Sequence, residues 1–226
     1  LLAMAALTMI TGVLGAAAQN EFRRILSFHI ISQVGYMAMG LALQTRLALA
    51  GTICYLIHHM IVKANLFLVS GVVQRLQGSF ELARLGGVYR SNGWIAVLFF
   101  IPAFSLAGFP PLSGFWAKMI LIRASLDIHQ YWVAFVAALV GLLTVYSMTK
   151  IWAEVFWKPA PQANNFTDAK MPRKTSVWML APITALALLT IIIGFGAEFV
   201  FKFAEQAAVE LSHPQYYVNA VLGNRQ

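Results

Sequence analysis

Charge is scarce in this chain. Only 11% of its 226 residues are Asp, Glu, Lys or Arg, against roughly 25% in an ordinary soluble domain. That argues against a globular cytosolic protein. Disorder is excluded too, because a chain that is 60% hydrophobic has too much apolar surface to leave in water. Cysteine is nearly absent, and Cys54 alone makes neither a disulfide framework nor a CxxC metal or redox site. Acid is scarcer than base, with eight Asp plus Glu against 16 Lys plus Arg and a net charge of +8. Such a balance invites a nucleic-acid reading, which the layout excludes, because the basic residues sit in short gaps between long apolar runs. There is no Walker loop, no GxGxxG in a βαβ setting and no haem motif. No cofactor, metal or catalytic residue is therefore assigned.

Long apolar runs are what the sequence has, and mean hydropathy is +0.72. A transmembrane helix needs about 20 mostly apolar residues to cross roughly 30 Å of hydrocarbon. Six stretches qualify or nearly so: Leu1 to Ala18, Ile25 to Leu43, Leu47 to Val73, Trp94 to about Ala124, Tyr131 to Trp152, and Val177 to about Phe201. Their hydrophobicity is continuous rather than alternating, and backbone in lipid must pair internally, so helices are expected. The fold class is all-α, a polytopic transmembrane helix bundle of about six helices. Residues 1–211 read as the membrane domain and 212–226 as a short extramembrane tail. Glu81 to Arg90 and Glu154 to Lys174 read as hydrophilic loops, and Phe201 to Leu211 as a short amphipathic helix on the membrane. The chain opens without methionine inside an apolar run, which reads as a fragment of a longer protein.

Basic residues in the gaps set an orientation. One side receives Arg23, Arg24, Arg75, Arg84, Arg90, Lys150, Lys158, Lys170, Arg173 and Lys174, and the other receives Arg46, Arg123, Lys202 and Arg225. This ten-to-four bias places the first side in the cytoplasm and the C-terminus outside.

Two lysines are left inside apolar segments, Lys63 and Lys118, while the acidic residues all lie in gaps or near segment ends. A charged lysine at the bilayer centre costs on the order of 3 kcal/mol on insertion scales. Lys63 is the 17th residue of a 27-residue apolar run and cannot easily snorkel. It reads either as lining an ion path or as paired structurally with a helix from elsewhere. Tyr55, His59 and Lys63 are spaced four apart and stack on one helix face. His58 lies about 100° round the helix. A histidine near a lysine is a candidate proton partner, and the open alternative is that His58 and His59 merely bond neighbouring helices.

The segment from Trp94 is too long for one straight span, and it contains Gly108-Phe109-Pro110-Pro111-Leu112-Ser113-Gly114. Two adjacent prolines remove two donors and clash with the preceding turn, so the helix must break, and Gly108 and Gly114 let the chain turn. Broken backbone at membrane depth is tolerated only inside protein or beside a water-filled cavity, and discontinuous helices recur at transporter ion sites. Lys118 follows on the second half-helix, where a kink with a snorkelling lysine is the other reading. His29, Ser32, Gln33 and Tyr36 form a polar stripe that either orders water or joins helices.

Three stretches carry a family resemblance. Residues Ile57 to Leu68, with His59 and Lys63, resemble the His-xxx-Lys helix of the antiporter-like subunits. These are the proton-pumping membrane subunits of respiratory complex I and the large subunits of Mrp-type multi-subunit Na+/H+ antiporters. Phe104 to Lys118 is similar to that family's broken helix with its terminal lysine, and Phe22 to Phe28 to its Lys-Arg-x-Leu-Ala-Tyr helix entry. The double histidine before Val62-Lys63, Ser27 to Gln33, Lys150 to Trp157 and Pro214 to Val218 are most similar to the D subunits of the Mrp antiporters. The resemblance covers essentially the whole chain and implies the C-terminal half of a fourteen-helix subunit in a bacterial or archaeal cytoplasmic membrane. It implies a secondary transporter rather than an enzyme, moving H+ against Na+ or another monovalent cation, with other subunits of the complex and the lipid bilayer as partners. Lys63, Lys118, His59 and His58 would carry protons; Tyr55, His29 and Ser32 would serve as accessory or water-chain residues. The alternatives are a proton-pumping subunit of a complex I-type NADH-quinone oxidoreductase and an inactive truncated copy. Arg23 departs from the family's usual lysine, and arginine cannot give up its proton. The family's lysine–glutamate pair precedes Leu1 and is not in this sequence.

Overall fold

The computed structural model describes residues 1–160 and 173–212, together with Gln215 and Val221, and only the backbone of 173–176. The expected loop over Glu154 to Lys174 thus falls outside the described residues at 161–172, as does nearly all of the expected tail. Among the described residues the regular elements are helices. They are α1 (Leu2–Ala18), α2 (Phe22–Leu43), α3 (Arg46–Gln77), α4 (Val88–Ser91), α5 (Gly93–Ala107), α6 (Ser113–Asp127), α7 (Tyr131–Ile151), α8 (Arg173–Phe195) and α9 (Ala197–Ser212). A π-helical turn, Trp152–Trp157, continues α7, and a 3-10 turn, Leu82–Arg84, follows α3. By length and composition four helices can cross a membrane, at Phe22–Leu43, Arg46–Gln77, Tyr131–Trp157 and Val177–Phe195, and Leu2–Ala18 and Gly93–Ala107 are shorter apolar helices.

The long helix α3 is the hub. It packs against α2, α5, α6, α8 and α9. Its first turn is capped by Thr45, whose hydroxyl accepts from the Ala48 amide at 3.1 Å, as Ncap threonine does. Gly78, at φ +72°, ends it in the left-handed conformation that glycine adopts without penalty. Between α1 and α2 the spacing is set by small residues. A methyl group on Gly12 would strike the Ser32 backbone, and one on Gly35 would strike Met9 and the Ala5 carbonyl. Close backbone approach of this kind is how helices pack where lipid removes the hydrophobic drive.

One end of the bundle is clasped by backbone and lysine. Phe22 N donates to Phe80 O and Leu82 N donates to Asn20 O, both at 2.9 Å, tying the α1–α2 turn to the chain after α3. Lys150 Nζ reaches from the last turn of α7 to Ala17 O, Gln19 O and Asn20 Oδ1 at 3.1, 2.8 and 3.0 Å. An ammonium there satisfies carbonyls that the end of α1 leaves free. The stretch expected as a hydrophilic loop, Glu81 to Arg90, instead buries Leu82, Leu85 and Val88 in the core.

Two expectations at the far end need correction. The sixth span stops at Phe195 rather than near Phe201, because the chain turns at Gly196. The amphipathic helix begins earlier, at Ala197, and it does not simply lie on the membrane. It packs on α3, with Ala204 and Ala208 fully buried and Val200 and Phe201 against the same core. Small residues on one face allow that contact, whereas amphipathic periodicity alone points only to lipid as the partner for that face.

Two apolar clusters fill the interior, and each inner helix passes from one to the other. On α2 the first holds Phe22, Ile25 and Leu26 and the second holds Tyr36, Met39 and Leu43. On α3 the division falls between Tyr55 and Val62, and on α7 between Val140 and Met148. The residues skipped are polar: His29, Ser32 and Gln33 on α2, His58 and His59 on α3, Thr144 and Ser147 on α7, all buried. A polar layer therefore lies across the bundle between two apolar clusters.

Candidate functional site

The broken helix creates the seat for Lys118. Gly108, at φ +97°, closes α5 by donating its amide to Phe104 O and Ser105 O at 3.0 and 3.1 Å, and Phe109 N also donates to Phe104 O. Pro110 and Pro111 have no amide proton to offer. The Leu106 and Ala107 carbonyls are thus left without a continuing helix. Lys118 Nζ donates to them at 2.8 and 3.2 Å and sits 5.2 Å from the centre of the Tyr36 ring. The negative end of α5 and an aromatic face together take the place of a counter-ion. Lys118 is only 6% exposed, so the snorkelling reading does not hold. A cavity of about 430 Å3 opens beside it, lined among others by Gly108, Pro110, Ile122 and Gly141.

Gly114, at the start of α6, makes the next link. A side chain there would collide with Ser105 O and with the His58 ring. The bare position lets α6 approach α3, so that His58 Nδ1 lies 2.8 Å from Ser113 Oγ. Ser113 Oγ is in turn 3.1 Å from Ser105 Oγ, which accepts from Gly114 N at 3.3 Å. The two serines, one on each side of the break, join the histidine to the half-helix that carries Lys118. Neither stands out in the sequence; serine is ordinary in membrane helices, and only the fold across Pro110-Pro111 brings this pair together.

Lys63 sits on the other side of the histidines. It is 5% exposed, and its Nζ donates to Leu26 O of α2 at 3.0 Å. Tyr55 donates to Gln33, stacks on Tyr36 at 5.3 Å between ring centres, and meets His58 edge-on at 5.8 Å. Tyr36 donates to Ala137 O. His59 shares the Lys63 face of α3, four residues away, while His58 faces α6, the helix that carries Lys118. The ion pairs among the described residues, Arg24–Glu21, Arg84–Glu81, Lys158–Glu154 and Lys202–Glu198, leave both lysines out.

Several buried atoms of this layer have no hydrogen-bond partner among the described residues: His29 Nδ1, Gln33 Nε2, His58 Nε2, His59 Nε2 and Asn65 Oδ1. Buried polar atoms are nearly always paired, so a cluster of orphans calls for a cause. The polar stripe expected on α2 divides. Ser32 is turned to α1, where it donates to Met9 O at 2.9 Å. His29 meets Ser147 on α7, with Nε2 and Oγ 2.6 Å apart, and Gln33 and Tyr36 face α3. Arg23 lies over the Phe80 ring at 4.1 Å, at the clasped end.

Residues 1–144 match a family model described as NADH:quinone oxidoreductase/Mrp antiporter, TM. The chain belongs to that family. It is 48% identical to the Na+/H+ antiporter D subunit of Alkalihalophilus pseudofirmus, over 98% of this chain and 44% of the relative. It is 35% identical to the Bacillus subtilis protein of the same name, over 97% of this chain and 43% of the relative. A chain of the Mrp complex from a Dietzia species superposes with a TM-score of 0.89 at 36% identity, covering 98% of this chain and 48% of that one. A chain of respiratory complex I from Thermus thermophilus superposes at 0.75 and 23% identity, covering 92% and 44%, and shares the fold. This antiporter-family chain thus spans less than half the length of the curated relatives it matches, and it is a multi-pass membrane protein.

Proposed function

We propose that this chain is the proton-carrying C-terminal part of a membrane subunit of an Mrp-type cation/proton antiporter, exchanging cytoplasmic Na+ for external H+. The observation that carries the reading is the polar layer. It holds two buried lysines without a counter-ion among the described residues, together with His58 and His59, whose Nε2 atoms are unpaired there. Relatives named as Na+/H+ antiporter D subunits support the antiporter over the complex I-type pump, whose likeness lies in the fold.

Lys118 holds a proton at the end of α5 and gives it up toward the cavity beside Gly108. His58 passes protons to that lysine through Ser113, and His59 receives them from Lys63, with ordered water joining the unpaired nitrogens. A proton arriving at one lysine repels a proton on the next, so charge moves stepwise. No ion pair of Lys63 lies among the described residues, and the carboxylate that balances it is supplied by another part of the assembly. The excess of Lys and Arg on the Lys150 end puts that end in the cytoplasm and the C-terminus outside a bacterial or archaeal cytoplasmic membrane. Its business is secondary transport rather than enzyme catalysis.

The test uses everted vesicles carrying the full-length parent with its neighbouring subunits. Added Na+ collapses a preformed proton gradient in wild type and not in Lys118→Ala at equal membrane content. Near-normal exchange in Lys118→Ala refutes the assignment. Proton pumping that ignores Na+ and requires NADH moves the chain to the respiratory branch.

A further inference from the structure

His29 takes no part in the route from Lys63 to Lys118, yet it is fully buried within the polar layer. Its Nε2 lies 2.6 Å from Ser147 Oγ, and its Nδ1 has no partner among the described residues. Ser147 Oγ also lies 3.0 Å from Leu143 O and 3.2 Å from Thr144 O on its own helix. A serine has a single hydroxyl proton, and a neutral imidazole has one donor and one acceptor nitrogen. Two arrangements follow. In one, Ser147 donates to a helix carbonyl and His29 Nε2–H donates to Ser147. In the other, Ser147 donates to Nε2 and His29 carries its proton on Nδ1. The first arrangement makes two hydrogen bonds and the second makes one, and in both Nδ1 finds no partner among the described residues. A histidine that only clamps two helices needs one arrangement and gains nothing from a second, buried, unpaired nitrogen.

The neighbours of this pair give it two ends. Lys63 Nζ is bonded to Leu26 O, three residues before His29 on α2. Lys150 stands three residues beyond Ser147 on α7, on the same face. It is half-buried and bonded to Ala17 O, Gln19 O and Asn20 Oδ1 at the α1–α2 turn. Helix α1 offers no charged or titratable side chain, and on the facing turns of α7 the polar groups are Thr144, Ser147 and Lys150.

We infer that His29 and Ser147 form a side branch of the proton route, linking Lys63 to the α1–α2 turn at the Lys150 end of the bundle. The branch rests on the antiporter reading above, which assigns that end to the cytoplasm. In the step itself one proton enters and one leaves. Ser147 gives its hydroxyl proton to His29 Nε2 and regains one from water on the Lys150 side. His29 releases its Nδ1 proton to the neutral amine of Lys63 through water, and rotation or tautomer exchange of the ring resets the pair. Run backwards, the same steps deliver a proton to the cytoplasm.

The experiment compares His29→Gln, Ser147→Ala and Ser147→Thr with wild type and Lys118→Ala in the full-length parent, assembled with its subunits in everted vesicles. Glutamine keeps a bond to Ser147 but cannot pass a proton. The branch predicts normal amounts of assembled complex and an exchange rate about tenfold or more below wild type for His29→Gln and Ser147→Ala, with the rate restored in Ser147→Thr. Wild-type rates in His29→Gln, with Lys118→Ala inactive, overturn the branch and leave the main route standing. Loss of assembled complex in both His29→Gln and Ser147→Ala makes the pair a structural joint and also overturns it. Wild-type vesicles without a response to Na+ overturn the underlying reading instead.

Discussion

Replacing Lys118 by methionine separates function from stability, and the structure predicts opposite outcomes for the two. The ammonium makes two hydrogen bonds to α5 carbonyls and one ring contact with Tyr36. Charge-assisted bonds contribute about 1.5–3 kcal/mol each, and a buried cation–π contact about 2 kcal/mol, so roughly 5–8 kcal/mol favours the charged lysine. Against this stands the desolvation of an ion that has no counter-ion among the described residues, still several kcal/mol after relaxation. The two sums nearly cancel. Methionine has a similar length, fills the same volume and bears no charge, and the freed carbonyls lie at a helix end that borders a cavity. Lys118→Met should therefore shift stability by no more than about 2 kcal/mol in either direction, while exchange in vesicles falls to background. Thermal unfolding of the purified complex checks this. The shift should stay below about 8 °C, since about 2–4 °C per kcal/mol holds for 150–250 residues and the larger complex shifts by less. A loss of more than about 12 °C would show that Lys118 is a structural clasp between α6 and the end of α5, and the argument from its uncompensated charge would fail.

Three further outcomes follow from the same geometry. Gly114→Val should force His58 away from Ser113 and cost about 1–3 kcal/mol by overpacking; a melting temperature equal to wild type, with normal exchange, would refute the close approach of α6 to α3. His58→Gln should keep a bond to Ser113 and assemble normally while losing most of its exchange, and wild-type exchange rates would remove His58 from the route. Gly35→Leu should push α1 from α2 and lower the yield of folded protein, whereas the exposed Leu41→Ala on the same helix should leave it unchanged, as a comparison of detergent-extracted monodisperse protein would show.

Much of the bundle was legible because the bilayer leaves few solutions. Apolar runs of about 20 residues must be helices, and two adjacent prolines must break one. Lys63 and Lys118 stood out for the same reason, since a charge in an apolar run is costly wherever the helix is placed. What the sequence could not reveal is which residues meet across helices. Periodicity put Tyr55, His59 and Lys63 on one face of α3, but His58, a quarter-turn away, is the histidine that reaches the broken helix. Ser105 and Ser113 carry no mark in the sequence beyond being serines, and they become neighbours only because the chain folds at Gly108 to Pro111. The periodicity of α9 marks an amphipathic face, and the partner of that face is α3. His29 and Ser147 lie 118 residues apart. Local chemistry determined where helices start, stop and carry charge, because those depend on residues within a few turns of one another. Which buried polar groups meet depended on which faces of different helices pack together, and that is decided by small residues such as Gly12, Gly35 and Gly114, whose effect appears only when another backbone is close.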